Sequence, residues 1–121
     1  MTDLGTLGGS GSEGFGINDS GEVTGYSLTS GGFEDAFLYS NGTMQDLNSL
    51  IGNADQYVTL EEGFGINDSG QIVAVGYDSQ LSEDLAFLLT PASTSVPEPG
   101  TLALLMAGLA GLWLARRRRS G

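Results

Sequence analysis

Short runs of alternating apolar and small residues, separated by turn residues, make up the chain as far as residue 90. In one such run, Phe15-Gly16-Ile17 is followed by Asn18-Asp19-Ser20-Gly21, whose residues tolerate a positive φ, and the apolar pattern resumes at Val23. Asn41-Gly42 is the strongest signal for a two-residue hairpin in the chain. No amphipathic helical pattern precedes residue 100. The pattern therefore predicts an all-β fold of repeated antiparallel hairpins.

An internal repeat divides these predicted strands into two units. Residues 13–21 recur letter for letter as residues 62–70. A weaker match relates Asp3-Leu4 to Asp46-Leu47, so the period lies between 43 and 50 residues. A period of this length with several short strands per unit is typical of a β repeat and is close to that of propeller blades.

The repeat also sets the predicted domain boundaries. We place the first unit at about residues 3–52 and the second at 53–90, each with about four short strands. Aligning Gly25-Tyr26 with Gly76-Tyr77 requires two extra residues in the second unit. Two units are too few to close a ring, and a repeat array usually needs about three. We therefore expect propeller-like blades that form an incomplete array.

The C-terminal part has a different pattern. Residues 91–100 form a linker that contains Pro, and an uncharged apolar run at 101–115 ends in a basic segment at 116–121. Proline keeps Pro97-Glu98-Pro99 extended and free of helix, which leaves a peptide that a protease can read. We predict that 101–115 is a transmembrane helix and that the basic tail stays on the cytoplasmic side of the membrane.

The length of the apolar run leaves an alternative open. Fifteen residues in a helix span roughly 22 Å, which is short of the ~30 Å hydrocarbon core. A buried core helix is therefore the competing interpretation of 101–115. Against it, the run is apolar on all faces and ends in four consecutive Arg, which a protein core could not hold.

The C-terminal segments together resemble the PEP-CTERM sorting signal of Gram-negative bacteria. The residues that carry the resemblance are the sorting motif Val96, Pro97, Glu98 and Pro99 and the basic stop Arg116, Arg117, Arg118 and Arg119. The resemblance implies processing by an exosortase, with cleavage near the Pro-Glu-Pro. It also implies a protein anchored in the inner membrane before processing and delivered to the cell envelope or the exterior, often in species that make exopolysaccharide and biofilm. The tail would then be a removable address rather than part of the fold.

Composition excludes most catalytic chemistry. The chain has no Cys, His or Lys, and its four Arg all lie in 116–119. All 15 acidic side chains precede residue 116, so this acidic part repels nucleic acid and anionic lipid surfaces. The missing thiols and imidazoles remove the commonest metal ligands and general bases, and we expect no cofactor. Salt bridges cannot stabilise this part of the chain.

The repeat units resemble the HAF family of extracellular repeats. The matching elements are residues 3–9, Gly16-Ile17-Asn18-Asp19-Ser20-Gly21, and Ala36-Phe37-Leu38-Tyr39 followed by residues 40–43. Asp35 and Leu85 stand where the family has the His of its His-Ala-Phe. The resemblance implies a surface or secreted β-repeat protein with a propeller-like fold, and it supplies no catalytic residues.

Two groups of acidic residues have both a functional and a structural interpretation. The turns at 18–22 and 67–71 resemble calcium loops faintly, but neither has the ligand spacing of an EF-hand, so we interpret them as turns. The acid pairs Glu34-Asp35 and Glu83-Asp84 occupy matching places in the two units. A glycosidase needs two facing carboxylates, one with a raised pKa, whereas a solvated charge cluster needs nothing further.

Two classes of function follow from these features. The leading hypothesis is a non-enzymatic β-repeat protein of the cell envelope or exterior, delivered by exosortase and contacting exopolysaccharide or matrix. The alternative is a fragment of a propeller-type enzyme that acts on polysaccharide through Asp and Glu carboxylates. Catalytic residues usually break a repeat rather than follow it, which favours the first hypothesis.

The start of the sequence bears on the same question. Met1-Thr2-Asp3 already lies within a repeat, and no basic and apolar leader precedes it. We expect the chain to be the C-terminal piece of a longer protein, or the product of a gene with a misplaced start. Association of two copies, or insertion driven by the tail helix alone, are the alternatives.

Overall fold

A computed structural model of the chain describes residues 1–52, 56–92 and 104–105. Its first sheet has the strand order β1-β2-β3-β4 and is antiparallel throughout. The strands are β1 (Gly8–Ile17), β2 (Val23–Thr29), β3 (Glu34–Ser40) and β4 (Thr43–Asp46). A single helical turn, α1 (Leu47–Ile51), leads from this sheet to the second one.

The second sheet repeats this arrangement in the order β5-β6-β7-β8. Its strands are β5 (Val58–Ile66), β6 (Ile72–Asp78), β7 (Glu83–Pro91) and β8 (Leu104–Leu105). The prediction of repeated antiparallel hairpins is confirmed. Over the described residues the two sheets stay open, and they form neither a closed barrel nor a closed propeller.

The repeated turn has the same hydrogen bonds in both units. The Asn18 Oδ1 accepts from the main-chain NH groups of Ser20 and Glu22, at 3.1 and 3.0 Å. The Gly21 NH donates to the Asn18 carbonyl at 3.1 Å, and the φ of Gly21 is 78°. Asn67 makes the same set of bonds in the second unit. These bonds support the interpretation of residues 18–22 and 67–71 as turns.

The helical turn α1 was not predicted. Its N-cap is Asp46, whose side chain accepts a hydrogen bond from the Asn48 NH at 2.9 Å. Leu47 and Ile51 are one turn apart on the helix and are both buried. A helix of five residues is too short to produce an amphipathic pattern, and for this reason the sequence did not reveal it.

The strand register changes the alignment of the two units. Gly14 pairs with Gly25 in the first sheet, and Gly63 pairs with Ala74 in the second. Ala74 therefore corresponds to Gly25, so the alignment of Gly25-Tyr26 with Gly76-Tyr77 was wrong. The ladder contains no two-residue insertion, and the length difference falls in the following hairpin loop, where extra residues disturb no hydrogen bonds.

The two sheets do not pack symmetrically on each other. The face of the first sheet that carries Thr24, Ala36 and Leu38 lies against β5 of the second sheet, and we refer to it as the packed face. Ala36 and Leu38 join one hydrophobic core with residues of the second unit, among them Leu60 and Phe87. Burial of this apolar surface holds the units together.

Equivalent residues of the two units also contact each other at the edge of this interface. The rings of Phe15 and Phe64 stack with their centroids 5.6 Å apart. The Asn18 Nδ2 donates to the Asn67 carbonyl at 3.0 Å, and the Asp19 NH donates to a carboxylate oxygen of Asp68 at 2.9 Å. Each repeated turn therefore closes its own hairpin, and the two turns also contact each other at the interface between the units.

The predicted transmembrane helix at 101–115 falls almost wholly outside the described residues. Only Leu104 and Leu105 are described, and they form a two-residue strand beside Thr90 and Pro91 rather than a helix. At these two positions the prediction was wrong, because the main chain continues the second sheet. Among the described residues, no helix has the length and apolar character needed to cross a membrane.

Candidate functional site

The predicted sorting residues lie outside the described part of the chain. These are Val96, Pro97, Glu98 and Pro99, together with Arg116, Arg117, Arg118 and Arg119. The functional geometry that the structure does describe lies at the junction between the two sheets. There, polar side chains of α1, β3, β4 and β5 come together around the start of the second unit.

Asn48 joins α1 to the second sheet. Its Oδ1 accepts from the main-chain NH of Leu60 at 2.7 Å, and its Nδ2 donates to the Leu60 carbonyl at 2.9 Å. The same Nδ2 donates to a carboxylate oxygen of Asp46 at 3.0 Å. Because Leu60 is fully buried, its main-chain groups need a partner, and the Asn48 amide acts as a short substitute for a neighbouring strand.

Asp35 of β3 and Asp46 of β4 form a carboxyl pair beside this junction. Burial raises the pKa of Asp35 from its ordinary 3.8 to about 7, with a hydrogen bond to Asp46 and the charges of Asp46 and Glu61 as further causes. A hydrogen bond from Asn48 acts in the opposite direction and favours the ionised form. At neutral pH the Asp35 carboxyl therefore holds a proton for part of the time.

Neighbouring acids on both sheets respond to the same crowding. Burial raises the pKa of Glu61, and the negative charges of Asp84 and Glu62 raise it further. The pKa of Glu34 is also raised, first by burial and then by the charges of Glu62 and Glu61. Since the acidic part of the chain contains no basic side chain, nothing neutralises this group of carboxylates.

The acid pairs that matched in sequence do not match in the structure. Glu34 pairs with Leu28, and Asp84 pairs with Tyr77, which occupies the corresponding position in the second sheet. Glu34 therefore corresponds to Asp84 and not to Glu83. The repeated acid pair that could have suggested a catalytic pair is offset by one residue between the units.

The described cavity and the acidic junction are separate. A shallow pocket of about 340 Å³ is lined by Gly14, Phe15, Gly16, Ile17 and Val23, none of which is titratable. Within the described residues, no group of three or more acidic side chains is placed to hold a metal ion. The junction contains one carboxyl, Asp35, that is partly protonated at neutral pH, and the pocket offers an apolar surface.

Sequence reasoning missed Asn48 and the Asp35–Asp46 pair. The only local signal was Asp46 followed two residues later by Asn48, which is compatible with a helix cap and also with an ordinary turn. The partners of these residues lie on other strands, 12 positions away for Asn48 and Leu60. A pattern read along one segment cannot reveal such contacts.

We expect Asp35→Asn to weaken the dependence of stability on pH. A carboxyl whose pKa is higher in the folded chain than in the unfolded chain binds its proton more tightly when folded. Its contribution to stability is therefore fully present below the pKa of the unfolded chain and is lost as the pH rises toward about 7. Between pH ~4.5 and pH ~8 the free energy of unfolding of wild type should fall by about 1–2 kcal/mol more than that of Asp35→Asn, a value reduced for partial exposure. Urea denaturation at the two pH values measures this difference.

The matched control for this prediction is Asp19→Asn, which removes the charge of an exposed aspartate for which no contact to the Asp35–Asp46 pair is seen. Its stability should follow that of wild type at both pH values. An equal difference from wild type for the two variants would show that general charge repulsion, and not the Asp35–Asp46 pair, sets the pH dependence.

Comparison with known proteins identifies one segment. Residues 95–119 match the PEP-CTERM protein-sorting motif, which confirms the predicted C-terminal sorting signal. The motif indicates a protein processed by exosortase from a membrane-anchored state and destined for the cell envelope or the exterior. Comparison with curated proteins and with solved structures gives no significant match to this chain.

Proposed function

We propose that this chain is a non-enzymatic β-repeat protein of the cell envelope or exterior, delivered by exosortase-dependent sorting and placed there to contact exopolysaccharide or matrix. The observation that carries the proposal is the match of residues 95–119 to the sorting motif. Its repeat elements support assignment to the HAF type of extracellular repeat, with propeller-like blades. Before cleavage, the chain would be anchored in the inner membrane with the basic residues 116–119 on the cytoplasmic side.

The surface of the described part supports a binding role better than a catalytic one. Phe33 and Tyr57 are 71% and 42% exposed, and flat aromatic rings at a β surface suit stacking on sugar rings. The Asp46 carboxylate accepts hydrogen bonds that cap α1, and the described pocket contains no titratable side chain. These features favour a matrix-contacting scaffold over a polysaccharide-active enzyme.

We expect replacement of Pro97-Glu98-Pro99 by three alanines to abolish processing in the native host. With the motif intact, the mature protein should lose about two dozen C-terminal residues and leave the inner membrane, because the sorting segment is a removable address. With the motif replaced, the full-length chain should remain in the membrane fraction. Intact mass and cell fractionation measure both outcomes.

A matched control replaces Ser93 and Thr94 by Ala, in the same linker but outside the matched residues. This control should be processed normally. Retention of the full-length chain with either sequence would make the segment an ordinary anchor and contradict sorting. Turnover of a glycan by the purified protein, abolished by Glu34→Gln or Glu83→Gln, would instead overturn the non-enzymatic assignment.

A further inference from the structure

The second sheet exposes the face that corresponds to the buried, packed face of the first sheet. Thr24 and Leu38 on the packed face have no exposed surface, whereas their counterparts Val73 and Leu88 are 49% and 41% exposed. Ala86 is likewise exposed, although Ala36 is fully buried. We refer to this part of the second sheet, formed by Val73, Val75, Tyr77, Ala86 and Leu88, as the open face. It repeats the position, and largely the chemistry, of a surface that the chain itself uses to bind a repeat.

The contacts that the first unit makes to the second differ from those that the second unit makes to the first. A Cβ placed on Gly16 would lie 3.0 Å from the Gly65 Cα, whereas one placed on Gly65 would meet nothing within 4 Å. The side-chain amide of Asn18 reaches the next turn, whereas that of Asn67 donates to Gln71 within its own turn. A two-fold arrangement would make these contacts reciprocal. The interface is therefore head-to-tail, and the second unit presents the same binding side again.

The complementary surface lies at the other end of the chain. Gly63 receives the packed face, because a Cβ on it would collide with the Thr24 side chain. Its counterpart Gly14 lines the shallow pocket, together with Ile17 and Val23. Val73 has the shape of Thr24 and occupies its position in the second sheet, so Val73 of one chain fits the pocket at Gly14 of another. We refer to the surface around Gly14, Ile17 and Val23 as the end face.

From this complementarity we propose that the open face binds a second copy of this chain, which docks head-to-tail through its end face. The contact repeats the interface that already joins the two units, with Val73 in the place of Thr24 and Gly65 in the place of Gly16. A head-to-tail contact leaves one free surface at each end, so further copies add in the same manner. The assembly is then a linear or closed array of β units.

Net charge opposes this association and determines how it is tested. Both copies carry acidic side chains and no basic ones over the described residues, so they repel each other at low ionic strength. The measurement uses the full chain in detergent micelles at about 0.5 M NaCl, where the Debye length falls to several ångströms. Sedimentation analysis over a series of protein concentrations gives the association constant.

Two variants block one surface each. Gly65→Val places a side chain where the second copy must come close, and within a single chain the space above Gly65 is empty. Ile17→Glu puts a charge on the end face at a residue that is 68% exposed. Each variant alone should weaken self-association at least tenfold while its urea denaturation midpoint stays near that of wild type. Gly16→Val serves as the matched control and should destabilise the single chain.

Mixing the two variants distinguishes the possible assemblies. Gly65→Val retains an intact end face and Ile17→Glu retains an intact open face, so the mixture should form a heterodimer that grows no further. If Ile17→Glu alone associates as wild type does, the contact joins two open faces, which overturns the head-to-tail arrangement. Association that neither variant weakens comes from another part of the chain and overturns the proposal. A wild-type chain that is monomeric up to ~1 mM, where weak specific interfaces already associate, also overturns the proposal.

Discussion

Leu38→Ala should lower the free energy of unfolding by about 3 kcal/mol, whereas Leu88→Ala should lower it by less than about 1 kcal/mol. The two leucines occupy corresponding positions on β3 and β7, pairing with Thr24 and Val73 respectively. Leu38 is fully buried in the core between the sheets, and its truncation leaves a cavity. Leu88 is 41% exposed on the open face, and its truncation removes little contact. Urea denaturation followed by far-ultraviolet circular dichroism measures both losses.

This pair of variants is its own matched control, because the two sites share the residue type, the strand position and the preceding Ala-Phe. The protein concentration must be low enough that chains do not associate, since association would bury Leu88 and raise its apparent cost. Equal losses at low concentration would contradict the asymmetric packing of the sheets. A loss at Leu88→Ala that grows with protein concentration would agree with docking of a second copy on the open face.

Turn chemistry allowed much of the fold to be predicted from the sequence. Asn41 and Gly42 both adopt positive φ, at 54° and 79°, as a two-residue hairpin requires. The repeated turn at 18–21 is likewise determined by bonds within a few residues. Antiparallel hairpins follow from such local signals, because the strands they join are adjacent in sequence. Predictions that depend only on neighbouring residues were therefore the successful ones.

Packing could not be predicted in the same manner. The segments Ala36-Phe37-Leu38 and Ala86-Phe87-Leu88 are identical, yet Leu38 is buried and Leu88 is exposed. The difference arises from β5, which covers the first sheet and has no counterpart over the second among the described residues. Since β5 begins 20 residues after Leu38, no local pattern carries this information.

The charge interactions of the candidate site could not be predicted from a local pattern either. Asp35 was singled out as one of a pair with Glu34, and its partner in the structure is Asp46 on another strand. Its raised pKa depends on burial and on a hydrogen bond that exists only once β3 and β4 are paired. The sorting signal is the opposite case, because a protease reads it as a linear peptide. Its motif was therefore recognisable from the sequence and was confirmed by the match to residues 95–119.

Asn48→Ala should lower the free energy of unfolding by about 2–3 kcal/mol. The substitution removes the partners of both main-chain groups of Leu60, which is fully buried. Burying a main-chain NH and a carbonyl without partners is costly, and water entering at the partly exposed Asn48 site would offset some of the loss. Ser49→Ala is the control, because it removes an exposed hydrogen bond to the Asp46 carbonyl on the same helix and should cost less than about 1 kcal/mol.

Asn48→Asp separates the hydrogen bonds from the packing of the side chain. An ionised carboxylate can still accept from the Leu60 NH, but it cannot donate to the Leu60 carbonyl, and it adds a negative charge beside Asp46. A protonated carboxyl can make both bonds. Because its neighbours are acidic, its pKa should be higher in the folded chain, so stability should fall as the pH rises. Asn48→Asp should therefore be close to wild type at pH ~4.5 and as unstable as Asn48→Ala at pH ~8, whereas stability close to wild type at both pH values would show that Asn48 acts through its shape alone.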